Sequence, residues 1–214
     1  MSTRFIFVRH AETPGSVERR FTGSTDVLLT DDGREHARSL AQRLRAVRID
    51  ALHVSPLTRC LQTAEPITEV TGRKATIVED LRECHFGILE DVSLDDALSK
   101  YGNDMADWFG AEDRCPPEGE SWVQVGERLL RWFGEAAERY KDRTVLAVTH
   151  GGPILWLTRH ITSAPYPTMA VFEVDPASVT VFQHRSGTWR LRLFNDTSHL
   201  RDPLLETSAP RRMP

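Results

Sequence analysis

The sequence predicts an α/β fold, a three-layer sandwich in which a mostly parallel central sheet carries helices on both faces. Short apolar runs such as Phe5–Val8 are typical of buried strands, and they alternate with longer segments of helical periodicity. The clearest helical segment follows a predicted N-cap at Thr30 and has apolar residues at Ala37, Leu40, Ala41 and Leu44. No Gly/Ser-rich linker divides the 214 residues, so we expect one domain.

The order of elements follows from the same patterns. Strands are predicted over residues 5–8, 51–54, 75–78, 144–149, 171–174, 179–182 and 189–194, the last three with some antiparallel pairing. Helices are predicted after Thr30, over 58–70, near Leu94 and Trp108, from Ser121, and after Gly151-Gly152, where Pro153 suits a first helical position. We expect a single domain over residues 1–202, with an inserted segment at 82–120 that caps the site and a loose tail at 203–214.

Composition excludes several classes of protein. Hydrophobic residues make up 40 % of the chain and charged residues 27 %, with a net charge of −4, which is typical of a soluble globular protein and not of a disordered one. The negative charge argues against nucleic-acid and membrane-surface partners, and no apolar stretch approaches the ~20 residues of a membrane span. The N-terminus lacks the features of a secretory signal, and the three widely spaced cysteines do not form a disulfide framework. We therefore expect a cytoplasmic protein with reduced thiols.

Residues with catalytic side chains follow four of the predicted strands. Arg9 and His10 come directly after the first strand, and Arg59 follows the second. Glu83 follows the third strand, and His150 follows the strand at 144–149. Because ligands of open α/β sheets bind beyond the carboxyl ends of the strands, we expect these five side chains to meet at one edge.

Such a set suits phosphoryl transfer through histidine. A neutral imidazole is a competent nucleophile near pH 7 if a backbone carbonyl holds its other N–H. Two guanidinium groups can clamp the phosphoryl oxygens, and a second, protonated imidazole would add positive charge. Backbone amides at the helix start after Gly151 could add further donors. A carboxylic acid must then protonate the leaving oxygen and later activate water.

The sequence resembles the histidine phosphatase superfamily, which also contains the cofactor-dependent phosphoglycerate mutases. Residues 7–13, Phe-Val-Arg-His-Ala-Glu-Thr, resemble the signature R-H-G-x-T, and residues 149–152 resemble x-H-G-G. Further segments resemble D-x-P-L-T-x-x-G, S-x-L-x-R-x-x-Q-T-A, L-x-E-x-x-F-G and P-x-G-E-S, at 26–33, 55–64, 81–87 and 117–121. Residues 195–200 resemble the C-terminal element of many small members. The resemblance covers residues 5–200 in the family's order and implies a phosphoglycerate mutase-like fold.

The resemblance also implies a role for each catalytic residue. His10 would be the nucleophile that becomes phosphorylated, and Glu83 the proton donor. Arg9, Arg59 and His150 would complete the phosphate pocket.

Other positions are expected to contact the substrate or to orient the histidine loop. Candidates for substrate contact are Ser16, Thr22, Gly23 and Gly151; Ser16 stands where many members have asparagine and Thr22 where glutamine is common. Glu12 and Thr13 would orient the loop that carries the nucleophile, and Ala11 replaces the usual glycine, which requires that its φ not be positive. Arg82 and Arg114 are candidates for recognising a second anionic group, with a solvated surface role as the alternative.

We therefore expect a metal-independent phosphatase that hydrolyses a small phosphate monoester, such as a sugar phosphate or a phosphoglycerate derivative, without a cofactor. The main alternative is a phosphoglycerate mutase, disfavoured because Gly151-Gly152-Pro153 replaces G-N-S and the paired arginines of mutases are not evident between 88 and 117. A zinc hydrolase using His10, His150 and Glu83 is disfavoured because H-E-x-x-H spacing is absent and two arginines would repel a cation. A non-catalytic phosphate-binding protein is a remote alternative. The expected partner is a small phosphorylated metabolite, and a homodimer is left open.

Overall fold

The computed structural model describes residues 2–166 and 172–200 and contains a six-stranded mixed sheet. The strands are β1 (Thr3–Arg9), β2 (Ala51–Val54), β3 (Ala75–Ile77), β4 (Thr144–Thr149), β5 (Val179–Arg185) and β6 (Thr188–Asp196). Their order across the sheet is β3-β2-β4-β1-β5-β6. The pairs β3-β2, β2-β4 and β4-β1 are parallel, whereas β1-β5 and β5-β6 are antiparallel. The expected tail at 203–214 lies outside the described residues.

Six α-helices connect or follow the described strands. They are α1 (Pro14–Val17), α2 (Asp31–Leu44), α3 (Thr58–Thr71), α4 (Leu94–Trp108), α5 (Trp122–Arg139) and α6 (Gly151–Thr162). The N-cap predicted at Thr30 is confirmed, since its hydroxyl accepts from the backbone N–H of Gly33. Ser121, from which a helix was predicted, caps α5, and its hydroxyl accepts from the backbone N–H of Gln124. Short 3₁₀ turns occupy Glu79–Leu81, Gly87–Leu89 and Ser198–Leu200.

Strand β1 shows why the sheet is covered on both faces. Phe5 and Phe7 point to one face and pack in a core formed with α4, α5 and α6. Ile6 and Val8 point to the other face and pack against α2 and α3. Since side chains of a strand alternate between the faces, this apolar run requires helices on both sides. The α/β three-layer architecture predicted from the sequence is confirmed.

Three local predictions differ from the structure. Residues 172–174 are not a strand, although Val174 is buried, because the apolar pattern there reports packing and not a ladder of hydrogen bonds; Val171 lies outside the described residues. Helix α6 begins at Gly151, so Pro153 occupies the third helical position and not the first. The two helical segments near Leu94 and Trp108 form one helix, α4, with a kink at Tyr101.

The parallel strands place the predicted site residues at one edge of the sheet. β1, β2 and β4 run in the same direction, and their carboxyl ends lead into His10, Ser55 and His150. Within the described ranges, no helix has both the length and the apolar character that crossing a membrane requires.

Candidate active site

His10 directly follows β1 and is almost completely buried. Its Nδ1 lies 2.8 Å from the carbonyl oxygen of Ala11, which can only accept, so Nδ1 carries the proton and Nε2 keeps its lone pair. Burial, together with the charges of Arg59 and Arg9, holds the pKa of His10 well below its usual range. The imidazole is therefore neutral and presents one nucleophilic nitrogen.

The loop after β1 is fixed by side chains from two helices. The backbone N–H of Ala11 donates to the hydroxyl of Thr63 at 2.9 Å, and the hydroxyl of Thr30 donates to the carboxylate of Glu12 at 2.7 Å. Thr13 caps the short helix α1 in a reciprocal capping box with Ser16. Ala11 is not among the described residues with positive φ, so alanine replaces glycine there without backbone strain.

Arg59 lies in the first turn of α3 and is 1 % exposed. Helix α3 has no side-chain cap of its own; instead the carboxylate of Asp26 accepts from the backbone N–H and hydroxyl of Thr58, at 2.7 and 2.6 Å. The guanidinium donates to the carbonyls of Gly23 (2.6 Å) and Thr25 (2.8 Å) and to a ring nitrogen of His150. The acidic motif at 26–33 thus anchors the helix start that carries the arginine.

His150 is fully buried, and both of its ring nitrogens are engaged. Nδ1 accepts from Arg59 Nε at 3.2 Å, so the proton resides on Nε2, which lies 2.7 Å from the hydroxyl of Ser55. Burial and the neighbouring charge of Arg59 keep the pKa of His150 well below its usual range. This arrangement favours a neutral ring over the expected protonated one; the ring lies 5.3 Å from that of His10 between centroids, and it orients Arg59.

Glu83 is held by two backbone donors. Its Oε1 accepts from the N–H of Cys84 at 2.9 Å, and its Oε2 accepts from the N–H of Gly152 at 3.2 Å. Burial raises the pKa of Glu83, an effect that these two donors partly offset. An amide at the start of α6 therefore contacts this carboxyl group, as its N-terminal position favours. A raised pKa is what a carboxyl group needs to donate a proton near neutral pH.

Arg9 completes the set of charged groups. Its Nη1 donates to the carbonyl of Val174 at 2.5 Å, whereas its buried Nε has no acceptor among the described residues. Gly151 lies beside this guanidinium, where a Cβ would come 3.6 Å from Nε. A buried N–H without a partner is costly, so this donor suits an anionic ligand.

These groups surround a cavity of about 80 Å³. That volume is far below the roughly 300–1,000 Å³ of sites for drug-sized ligands, and it suits a phosphoryl group with a small leaving group. The lining includes the predicted residues Arg9, His10, Ser16, Thr22, Gly23, Arg59 and Glu83.

Three predicted contacts differ in detail from the expectation. Ser16 lines the cavity, but its hydroxyl donates to the Thr13 carbonyl at 2.8 Å and accepts from the Thr13 N–H at 2.9 Å. These two bonds engage the Ser16 hydroxyl within the loop, and its contact with phosphate stays a prediction. His150 and Gly151 are not part of the cavity lining; they contact Arg59 and Arg9 instead.

Arg20 and Phe86 also line the cavity, and sequence reasoning missed both. The Arg20 guanidinium is partly exposed; it donates to the carboxylate of Glu18 at 2.6 Å and to the carbonyl of Asp91 at 2.7 Å. The two arginines considered for a second anion lie elsewhere: Arg82 pairs with Glu79, and Arg114 pairs with Asp107. Arg20 is thus a third arginine on the cavity wall, and it is paired with Glu18.

Gly23 permits a close approach between the loop at 22–25 and the segment after Glu83. Its φ is +49°, and a Cβ there would overlap the carboxylate of Glu90. That carboxylate accepts from the N–H groups of Ser24 (3.0 Å), Thr25 (2.7 Å) and Phe86 (2.8 Å). Glu90 therefore fixes the carbonyls of residues 23 and 25, which hold the Arg59 guanidinium.

A metal is not favoured by the arrangement of donors. In the part of the chain that the structure describes, no group of three or more His, Cys, Asp and Glu side chains could hold a metal ion. His150 offers no free lone pair, and Arg9 and Arg59 would repel a cation next to His10.

The comparisons with known proteins agree with this geometry. The family model for the histidine phosphatase superfamily (branch 1) matches residues 5–197. A 2,3-bisphosphoglycerate-dependent phosphoglycerate mutase 2 of Gloeobacter violaceus is 29 % identical over 92 % of this chain and 94 % of its own length. A metal-independent phosphoserine phosphatase of Arabidopsis thaliana is 29 % identical over 92 % of this chain and 83 % of its own length. The structure of a mycobacterial glucosyl-3-phosphoglycerate phosphatase superposes with a TM-score of 0.82 at 26 % identity, covering 91 % of this chain and 99 % of that one. The chain therefore belongs to branch 1 of the histidine phosphatase superfamily.

Proposed function

We propose that this member of the superfamily is a metal-independent phosphatase that hydrolyses a small phosphate monoester through a phosphohistidine formed on His10. The observation that carries the proposal is the state of His10: a neutral ring, locked through Nδ1 to the Ala11 carbonyl, at a cavity that it shares with three arginines and Glu83. A nucleophile, a clamp for anionic oxygens and a proton donor are the three parts that phosphoryl transfer requires.

In the first step, His10 Nε2 attacks the phosphorus atom. A bond forms between nitrogen and phosphorus while the bond from phosphorus to the leaving oxygen breaks. Glu83, whose pKa burial raises, gives its proton to that oxygen, and the alcohol departs. Arg9 and Arg59 hold the non-bridging oxygens, and backbone carbonyls, which carry no net charge, orient both guanidinium groups.

In the second step, the carboxylate of Glu83 takes a proton from a water molecule. The water oxygen attacks phosphorus, and the bond to His10 Nε2 breaks. Inorganic phosphate leaves, Glu83 is again protonated, and His10 is again neutral. One carboxyl group thus serves as acid and then as base, as microscopic reversibility allows.

The relatives support hydrolysis of an ester whose leaving group carries a carboxylate. Phosphoserine and glucosyl-3-phosphoglycerate, the substrates in the names of two of them, both carry a carboxylate close to the phosphate ester. Arg20 on the cavity wall is a cation that such a carboxylate could approach. The similarity to the mutase of Gloeobacter violaceus supports the alternative function, a phosphoglycerate mutase. In a mutase the phosphohistidine passes its phosphoryl group back to an intermediate.

The test is phosphate release from a panel of monoesters in the presence of EDTA, with His10→Ala as the matched variant. The panel includes 3-phosphoglycerate with and without its bisphosphate, phosphoserine, glycerol 3-phosphate and a sugar phosphate. An acid-labile, base-stable phosphoryl group should be trapped on the wild-type chain within the first turnover and should be absent from His10→Ala.

Each outcome decides between the candidates. Release that resists EDTA and is lost in His10→Ala supports the phosphatase. Bisphosphate-dependent isomerisation of 3-phosphoglycerate without net release of phosphate indicates a mutase. Activity that EDTA removes and His10→Ala keeps overturns the histidine mechanism, and phosphate binding without turnover indicates a binding protein.

A further inference from the structure

We propose that Arg128 is a positioning residue that holds the proton donor in place by fixing the backbone of residues 80–83. The inference rests on the proposed function of Glu83 and assigns a cause to its placement. Arg128 lies on α5, outside the cavity lining, and is 5 % exposed.

The segment that carries Glu83 has little regular structure of its own. It follows the 3₁₀ turn Glu79–Leu81 and continues without a helix or strand to residue 86. Buried carbonyls in such a segment need partners from elsewhere. The four consecutive carbonyls of residues 80–83 accept hydrogen bonds from only two side chains, Arg128 and Thr149. Arg128 supplies three of these four contacts.

The contacts follow one another along the backbone. Arg128 Nη1 donates to the carbonyls of Asp80 and Arg82, each at 2.8 Å, and Nη2 donates to that of Glu83 at 3.0 Å. The carbonyl of Leu81 accepts from the hydroxyl of Thr149, the last residue of β4, at 2.6 Å. The segment is thereby fixed against both α5 and the central sheet.

The remaining donors of Arg128 go to Glu120. Nε donates to Oε1 at 2.8 Å and Nη2 donates to Oε2 at 3.0 Å, a bidentate pair between largely buried side chains. An arginine side chain has five N–H donors, and all five are now accounted for. No donor is left for a substrate, so Arg128 acts through the backbone of the Glu83 segment.

Lysine cannot reproduce this arrangement. Its ammonium group has three donors on a single atom, whereas the contacts here need a planar fork that spans three carbonyls and a carboxylate. Arg128→Lys keeps the positive charge beside Glu120 but leaves some of the carbonyls without partners. The segment should then move, and Glu83 with it, while the phosphate clamp of Arg9 and Arg59 stays intact.

The dependence of the rate on the leaving group reveals a misplaced proton donor. An alkyl leaving group needs protonation, whereas p-nitrophenolate leaves readily without it, and general acid catalysis contributes roughly 10²- to 10⁴-fold where it is needed. We expect Arg128→Lys to lose at least about tenfold more kcat/KM on glycerol 3-phosphate than on p-nitrophenyl phosphate. The alkaline decline of its pH profile should also shift to lower pH, because a displaced Glu83 is more hydrated.

Arg131→Lys is the matched control. Arg131 lies one turn further along α5, is itself exposed, and pairs with the same segment through the partly exposed carboxylate of Asp80. This variant should keep the wild-type ratio of the two rates. Glu120→Gln, which weakens the support of Arg128 without removing its carbonyl contacts, should change the ratio in the same direction by a smaller factor.

The two proposals fail in different ways. If wild type releases no phosphate, or releases it without His10, the proposed function fails before Arg128 is tested. If wild type is a phosphatase, Glu83→Gln shows the leaving-group effect and Arg128→Lys loses the same factor on both esters, or none, the positioning role is overturned. Affinity for inorganic phosphate, measured by calorimetry, should stay within about twofold in Arg128→Lys; a loss of that affinity together with equal rate losses indicates general unfolding and also contradicts the proposal.

Discussion

Gly23→Ala tests whether the close approach at the cavity wall is as tight as the structure indicates. Gly23 has a φ of +49°, and forcing alanine into the left-handed region costs about 1–2 kcal/mol. The new Cβ would also overlap the Glu90 carboxylate and come 3.0 Å from the Cys84 carbonyl. Displacing that carboxylate weakens its charged hydrogen bonds to backbone N–H groups, at about 2–4 kcal/mol in total. We expect a loss of unfolding free energy of about 3–6 kcal/mol.

Gly72→Ala separates the backbone cost of a positive φ from the cost of displacing the Glu90 carboxylate. Gly72 ends α3 with a φ of +66°, and a Cβ there would meet nothing within 4 Å. This variant should lose only the backbone cost, about 1–2 kcal/mol, which for a chain of this size lowers the melting temperature by about 2–8 °C. Its phosphate release should equal that of wild type.

Thermal unfolding and phosphate release are then measured on both variants. Gly23→Ala should lose at least about twice as much melting temperature as Gly72→Ala, and at least about tenfold in kcat/KM, because the Gly23 carbonyl holds Arg59 Nη2 at 2.6 Å. Equal losses of stability in the two variants would show that the Glu90 contact does not constrain the loop. Full activity in Gly23→Ala would show that the orientation of Arg59 does not depend on the position of the Gly23 carbonyl.

Three further predictions follow from single residues. Because burial raises the pKa of Glu83 and lowers that of His10, kcat/KM should decline as pH rises through the Glu83 pKa, and Glu83→Gln should remove that alkaline decline from the pH–rate profile. Arg20→Gln should lower kcat/KM for 3-phosphoglycerate several-fold more than for glycerol 3-phosphate, a comparison in which only the carboxylate differs; an equal loss on both would exclude a role in anion recognition. Burial raises the pKa of Cys60 to about 12 and also raises that of Cys84, so an aromatic disulfide reagent should titrate one thiol, Cys115, in the native protein and three in denaturant.

The fold was predictable because the pattern of apolar residues that indicates each strand and helix is local in the sequence. The run Phe5–Val8 is apolar throughout, and only a strand covered on both faces buries all four side chains. The N-caps Thr30 and Ser121 are likewise short-range signals. The strand predicted over 171–174 shows the limit: an apolar pattern reports burial, as for Val174, but it does not report whether the backbone pairs.

The site was predictable at the strand ends but not in its supports. The rule that parallel strands end at one edge brings His10 and His150 together, yet it carries no information on which ring nitrogen holds the proton. For His10 the proton position depends on the Ala11 carbonyl, and for His150 it depends on Ser55 and Arg59, which follow the neighbouring strand β2. One signal for Arg128 was present in the sequence, since it falls on the apolar face of α5 beside Leu129, where a charge needs buried partners.

The partners of the arginines explain how the site keeps its positive charge. Away from the cavity, Arg43 pairs with a carboxylate, Asp196, so the two charges largely cancel. At the cavity, Arg9 and Arg59 are oriented by backbone carbonyls and by a neutral histidine, which fix a guanidinium without neutralising it. The charge of Arg128 is instead cancelled by Glu120, since that residue serves position and not binding. In the proposed reaction, a dianionic phosphoryl group therefore meets two guanidinium groups that folding has already oriented, so most of the electrostatic cost of orienting them is met before it binds.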